Sequence, residues 1–197
     1  MVIFYRLGSG LYVNITNVCP CHCIFCIRNT THTVGDAPTL WLSQEPTVSE
    51  IKAAFKTRTD LDEVTEVVFC GYGEPMVRAA DIIEICHFIK QESNLPIRIN
   101  TNGLVSLLHP NFALEALTCV NHISVSLNAD TPEEYLRIVN PQFGIKSFQA
   151  VLDFATQAKK YTHVTFTVME DLGEARIANC YKIAQALNIP LRVRQYM

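Results

Sequence analysis

Short stretches of this 197-residue chain alternate apolar and polar residues with period two, and the stretches between them repeat apolar residues at helical spacing. The period-two runs predict six strands, at Leu11–Thr16, Glu66–Cys70, Ile97–Asn102, His122–Asn128, His163–Met169 and Leu191–Tyr196. Helices are predicted near Val48–Lys56, Ala79–Gln91, Asn111–Leu117, Pro132–Val139, Phe148–Lys159 and Glu174–Leu187. Start signals support several of them. Thr47 with Glu50 and Thr131 with Glu134 fit the capping box, Pro132 suits a first helical position, and Asp171 with Glu174 is a looser box. In the last helix Ile177, Tyr181, Ala184 and Leu187 would share one face. Strands alternating with helices imply a parallel sheet in a single domain spanning residues 1–197, with a long functional loop at about residues 17–44.

The alternation also sorts each strand into two faces. Ile123, Val125 and Leu127 face one way, and Ser124, Ser126 and Asn128 the other. Ile97 and Ile99 oppose Arg98, Asn100 and Asn102; Leu11, Val13 and Ile15 oppose Tyr12, Asn14 and Thr16. Val164, Phe166 and Val168 oppose Thr165 and Thr167; Leu191 and Val193 oppose Arg192, Arg194 and Tyr196. A closed eight-stranded barrel fills its interior with branched apolar side chains. A polar inner face needs water, internal partners or a polar ligand, because each buried unpaired group costs about 1–3 kcal/mol. The expected fold is therefore α/β: an open, partial (β/α)6 TIM-type barrel of parallel strands around a polar ligand. A sheet with one wet face is the competing arrangement, but strand–helix–strand order normally covers both faces.

With 49% apolar and 18% charged residues, the composition belongs to a well-packed chain and not to a disordered one. A net charge of −3 without a Lys/Arg run argues against nonspecific nucleic-acid binding. No apolar stretch is long enough to span a bilayer, and the N-terminus lacks the charged-then-apolar order of a signal peptide. These features point to the cytoplasm, with no membrane partner. There the eight cysteines are expected to be thiols or metal ligands and not disulfides.

Four of those cysteines crowd into Cys19-Pro20-Cys21-His22-Cys23-Ile24-Phe25-Cys26, while Cys70, Cys86, Cys119 and Cys180 lie scattered among apolar neighbours as small hydrophobes do. Cys19, Cys23 and Cys26 fit C-x-x-x-C-x-x-C. Three thiolates can bind three irons of a 4Fe-4S cube and leave the fourth iron open, whereas electron-transfer clusters use four cysteines. Zinc is the alternative, with Cys21 or His22 completing the set. Structural zinc sites, however, combine two separated ligand pairs, and no second pair is present. Cys21 is surplus to the motif and reads as a free thiol in a loop. A second motif, Gly71-Tyr72-Gly73-Glu74-Pro75, follows the apolar run Val67–Cys70. Its glycines allow close backbone approach at a strand end.

Together, Cys19–Cys26 and Gly71–Pro75 make the sequence resemble the radical S-adenosylmethionine (radical SAM) superfamily, and the resemblance extends in organisation over the whole chain. Tyr5-Arg6-Leu7-Gly8, Leu11–Thr16 and Ser124–Asn128 further resemble a small branch associated with TatD-type metallohydrolases. The resemblance implies cluster ligands Cys19, Cys23 and Cys26, the aromatic Phe25 before the last of them, and S-adenosyl-L-methionine as cofactor. Gly71, Gly73, Glu74 and Pro75 would bind its methionine part, with Glu74 orienting the loop and Tyr72 interrupting the family's adjacent glycines. Asn102, Ser126 and Asn128 would meet its ribose and carboxylate. Arg194, and less directly Arg137, would take that carboxylate or an anionic substrate. Reductive cleavage would give a 5′-deoxyadenosyl radical for hydrogen abstraction, driven by an external one-electron reductant of flavodoxin or ferredoxin type. Glycyl-radical-enzyme activases and 7-carboxy-7-deazaguanine synthases are comparably small members. An iron-sulfur electron-transfer or zinc-binding module is the reading from another class, but it leaves the glycine loop and the polar inner face without a role. A barrel hydrolase would need a His/Asp metal set or a nucleophile–base pair, neither of which is visible. The open barrel suggests a macromolecular substrate or a homodimer that completes the pocket.

Overall fold

The computed structural model describes residues 2–29 and 33–195. It contains one seven-stranded sheet in sequential order: β1 (Phe4–Leu7), β2 (Gly10–Val13), β3 (Glu66–Phe69), β4 (Ile97–Thr101), β5 (His122–Ser126), β6 (His163–Met169) and β7 (Leu191–Arg194). Strands β2 to β7 pair in parallel, as expected of a partial TIM-type barrel. The sequence pattern missed β1, which pairs antiparallel with β2, Tyr5 opposite Tyr12. The turn between them holds Gly8 at φ 59°, a left-handed conformation suited to glycine. Tyr196, assigned above to the last strand, lies outside the described residues.

Six α-helices accompany the strands: α1 (Val48–Lys56), α2 (Ala79–Glu92), α3 (Val105–Leu108), α4 (Pro132–Val139), α5 (Lys146–Ala158) and α6 (Glu174–Ala186). Thr47 and Glu50 form the full capping box at α1. Thr131 caps α4 through the Glu134 N–H, but the Glu134 carboxylate turns away to Arg137 and Arg176, so only half the box forms. No side chain caps α6, whose first turn follows Gly173. The segment predicted as a helix at Asn111–Leu117 is a 3₁₀ helix at Leu114–Cys119, and the single turn α3 was not foreseen. The inward stripe of α6 carries Cys180 and Ala184, while Tyr181 is exposed.

One face of the sheet buries Val67, Phe69, Ile97, Ile99, Ile123, Val125 and Phe166, all fully enclosed with Ile82, Ile85 and Ile89 of α2 and Val151 of α5 in the main core. Burying one such aliphatic side chain is worth about 1.5–3 kcal/mol, so this face fixes the strand register. The inner face then carries Asn14, Asn100, Ser124, Ser126, Thr165 and Thr167. A second, smaller core of Tyr5, Val34, Ala37, Leu40 and Tyr72 lets part of the long loop cover β1 and β2. Among the described residues, no helix is long and apolar enough to cross a membrane.

Candidate active site

The cysteine loop is held by backbone bonds to a distant segment. His22 N–H donates to Val139 O and Asn140 O at 3.1 and 3.2 Å, Ile24 N–H to Ile138 O at 2.9 Å, and Gln142 N–H to Pro20 O at 2.8 Å. Cys21 forms a bridge with Pro141, and Arg28 donates to Cys21 O at 3.2 Å. Residues 20–24 thus lie against the end of α4, where Asn140 terminates the helix at φ 44°. Cys26 N–H closes a tight turn onto Cys23 O at 3.2 Å.

That turn leaves the Cys19, Cys23 and Cys26 side chains partly exposed and buries Cys21. Cys21 is therefore not a loose loop thiol. Asn102 Nδ2 approaches its sulfur at 3.6 Å, and its hydrogen bonds to Cys19 and Cys23, together with burial, push its own ionisation up. The hydrogen bond from Cys21 holds the Cys19 thiol down at about 6, against burial. Burial pushes the Cys26 thiol up. All eight cysteines are free; Cys86, Cys119 and Cys180 are buried as small hydrophobes, whereas Cys70 is only half-buried on the inner face.

The second motif packs against the strand that leads into the cysteines. Gly73 N–H donates to Thr16 O at 3.1 Å, and Glu74 N–H to Val18 O at 2.8 Å. A Cβ on Gly73 would lie 2.3 Å from Thr16 O, and one on Gly71 would lie 2.0 Å from Asn14 Oδ1. The missing side chains therefore admit the protein's own backbone, a closer use than ligand approach alone. Tyr72 points away into the smaller core, its ring 5.1 Å from that of Trp41, so the residue between the glycines anchors the long loop. Asn14 donates to Leu40 O at 2.7 Å, and Asn17 exchanges hydrogen bonds with the Leu42 backbone at 2.8 and 3.0 Å, further stitches that sequence spacing did not reveal.

Glu74 is buried and accepts three hydrogen bonds: from Met76 N–H at 3.0 Å, Thr101 Oγ1 at 2.6 Å and Asn102 N–H at 2.6 Å. Burial pushes its pKa up to about 7, with those donors opposing the rise. The carboxylate joins the glycine loop to the end of β4, and Pro75 opens the following 3₁₀ turn. Asn102 is occupied twice, its Oδ1 accepting Leu104 N–H at 2.9 Å while its amide faces Cys21.

Asn128 lies two residues past the end of β5 at φ 59°, a conformation asparagine tolerates, with its Oδ1 enclosed and without a protein partner. It lines a cavity of about 290 Å³ together with Phe25, Ile24, Met169, Arg137 and Arg176. Arg137 is largely exposed and paired with Glu134 at 2.7 Å. Ser126 is half-buried opposite Thr167. Arg194 lies at the end of β7 opposite Met169, with its Nε enclosed and unpartnered.

The site thus places three accessible thiols of one turn beside a glycine loop locked to the barrel rim, above an inner face with unfilled hydrogen-bonding atoms. Residues 13–181 match the Radical SAM superfamily family model. The chain belongs to the radical SAM superfamily. Its fold is similar to a structure of TYW1 with a lysine-pyruvate adduct bound, at 15% identity and a TM-score of 0.64, over 96% of this chain and 65% of that one. It is equally similar to native anSMEcpe with bound AdoMet, at 15% identity and a TM-score of 0.64, over 94% of this chain and 50% of that one. At this identity the likeness shows the fold alone, and this radical SAM chain spans less than two thirds of either neighbour. No curated protein matches its sequence.

The donor set fits an iron-sulfur cluster. Thiolates are the ligating form, and Cys19, Cys23 and Cys26 are all partly accessible. Among the described residues, no three His, Cys, Asp or Glu side chains converge on a single ion position. A cube does not need that convergence, because each thiolate binds its own iron. The orphaned Asn128 Oδ1, Ser124 Oγ and Arg194 Nε likewise suit a polar organic ligand inside the barrel.

Proposed function

We propose that this radical SAM enzyme holds a 4Fe-4S cluster through Cys19, Cys23 and Cys26 and reductively cleaves S-adenosyl-L-methionine, yielding methionine and a 5′-deoxyadenosyl radical that abstracts a hydrogen atom from its substrate. What carries the reading is the junction of Gly73 and Glu74 with Thr16 and Val18, which fixes the glycine loop directly beside the cysteine turn. The backbone carbonyls of Gly71, Gly73 and Pro75 would present acceptors to the methionine amino group, and Glu74 would keep that backbone in place. The cavity beside Phe25 and Asn128 suits the adenosine end, with Ser126 and Asn102 flanking the path between. Cover from Val34, Ala37 and Leu40 over β1 and β2 would limit water on that side.

An external one-electron donor of flavodoxin or ferredoxin type would supply the electron. The lateral gap between β1 and β7 would admit a macromolecular substrate, or be completed by a second copy. Placement in the TatD-associated branch rests on the resemblance of Tyr5-Arg6-Leu7-Gly8, Leu11–Thr16 and Ser124–Asn128. The test is anaerobic reconstitution followed by dithionite reduction with S-adenosyl-L-methionine. About four irons and four sulfides per chain and release of 5′-deoxyadenosine are expected. A full cluster that never cleaves the cofactor would make the protein an electron carrier instead.

A further inference from the structure

The charges inside the barrel do not balance. Arg98 of β4 is buried and fully engaged: Glu66 accepts from its Nε and Nη2 at 3.0 and 2.7 Å, Asn100 Oδ1 accepts at 2.6 Å, and its guanidinium lies 6.0 Å from the Tyr12 ring centre. Glu66 is paired with Arg98, and Arg192 acts on it only electrostatically. Arg192 and Arg194 alternate onto one face of β7, opposite Thr167 and Met169, and that face continues the polar inner row of Thr167 and Ser126. Neither arginine has an ion-pair partner among the described residues. Arg192 is exposed, whereas the Arg194 Nε is enclosed with no hydrogen bond. Burial disfavours the Arg194 charge, and Cys70, Arg192, Arg98 and Tyr12 act on it electrostatically. Ser124, on the same inner face, also has an enclosed hydroxyl without a partner. A desolvated guanidinium with no counter-charge is costly, and its planar fork of donors matches an oxyanion.

We propose that Arg194, seconded by Arg192, forms an anion subsite inside the barrel near Cys70, and that the substrate enters with a carboxylate or phosphate group docked there. This rests on the barrel being the reaction chamber, and it assigns Arg194 to the substrate and not to the cofactor's carboxylate. The subsite would orient the rest of the substrate toward the cysteine and glycine loops.

The test uses malonate and inorganic phosphate as probes, titrated against chloride at equal ionic strength. Thermal unfolding is followed for the reconstituted protein with S-adenosyl-L-methionine and, separately, for the apoprotein without it. A saturable rise in Tm is expected with malonate if the subsite takes a carboxylate, or with phosphate if it takes a phosphate. Arg194→Gln should weaken the response at least tenfold while leaving cofactor affinity intact, and Lys182→Gln on the outer helix should leave the response intact. Arg194→Met should raise the Tm of the anion-free apoprotein by about 2–4 °C, because a buried unpaired charge is removed. No oxyanion response beyond the chloride control, a loss of cofactor affinity in Arg194→Gln, or a fall in Tm for Arg194→Met would each overturn the proposal. Because the apoprotein arm needs neither cluster nor cofactor, its outcome is independent of whether the protein cleaves S-adenosyl-L-methionine.

Discussion

Replacing Glu74 separates a residue that holds the site from one that touches the ligand. Its carboxylate is enclosed by three donors, the N–H groups of Met76 and Asn102 and the Thr101 hydroxyl. In Glu74→Ala the hydroxyl can rotate to another acceptor, but the two backbone N–H groups cannot. Leaving each unpaired costs about 1–3 kcal/mol, so the apoprotein should lose roughly 2–6 kcal/mol by urea denaturation. Titration gives a second handle. A fall in proton affinity on unfolding, from a pKa of about 7 to 4.5, means the folded state holds a proton that the unfolded chain releases. The associated stability is fully present below pH 4.5 and lost as the pH rises through about 7. At about 1.4 kcal/mol per pH unit this amounts to roughly 3 kcal/mol. Glu74→Gln has no such titration, so the stability of wild type relative to Glu74→Gln should decline by that order between pH 5 and pH 8. Denaturation curves of both proteins across that range check it. A flat difference would mean the carboxylate is not desolvated. An unchanged stability for Glu74→Ala, with cofactor affinity alone lost, would move Glu74 from the scaffold to the ligand.

The cysteines make a sharper pattern. Cys19→Ala, Cys23→Ala and Cys26→Ala should each abolish cluster assembly, measured as iron and acid-labile sulfide, while Cys21→Ala should retain it; retention in Cys19→Ala with loss in Cys21→Ala would invalidate the ligand assignment. Gly73→Ala should destabilise the fold by about 1–3 kcal/mol or more, because its Cβ meets two backbone carbonyls that cannot rotate away. Thermal unfolding of the apoprotein reads that directly, and an unchanged Tm would show that the loop does not pack against Thr16. Glu66→Gln should remove the ion pair of Arg98 and lower apoprotein stability by about 1–3 kcal/mol, because Arg98 is buried while Glu66 stays one-third exposed.

Local signals in the sequence located the elements they govern. The Thr47–Glu50 box and the Thr131-Pro132 start set α1 and α4 at Val48–Lys56 and Pro132–Val139, and the long alternating run His163–Met169 became β6. The polar inner face was legible for the same reason, since period two needs no knowledge of the partner strand. Features that depend on distant partners were not. β1 is four residues long with Arg6 at its centre, so its alternation is too brief to stand out, and only Gly8-Ser9-Gly10 hinted at a hairpin. In α6 the predicted face holds at Ile177, Ala184 and Leu187, but Cys180 and not Tyr181 completes it, because a free thiol packs as a small hydrophobe. The tie from Glu74 to Thr101 and Asn102 spans residues that no spacing rule connects.

The departure from adjacent glycines shows how the site and the scaffold share residues. Gly71 and Gly73 are both consumed by contact with the segment that follows β2, at Asn14 and at Thr16 with Val18. The position between them is free of that contact and can carry a large side chain, provided it points away from the strand. Tyr72 does so, and its ring joins Tyr5, Leu40 and Trp41 in covering the inner face near β1. The same five residues therefore attach the cysteine turn to the rim through their backbone and draw the long loop over the chamber through one side chain. A substitution at Tyr72 should consequently loosen the cover at residues 33–42 without separating Gly73 from Thr16. Hydrogen exchange would distinguish the two: Tyr72→Ala should speed exchange of the Leu42 N–H, which Asn17 accepts, and leave that of the Glu74 N–H, bonded to Val18 O, protected. Equal loss of protection at both would mean the loop and the motif open as one unit.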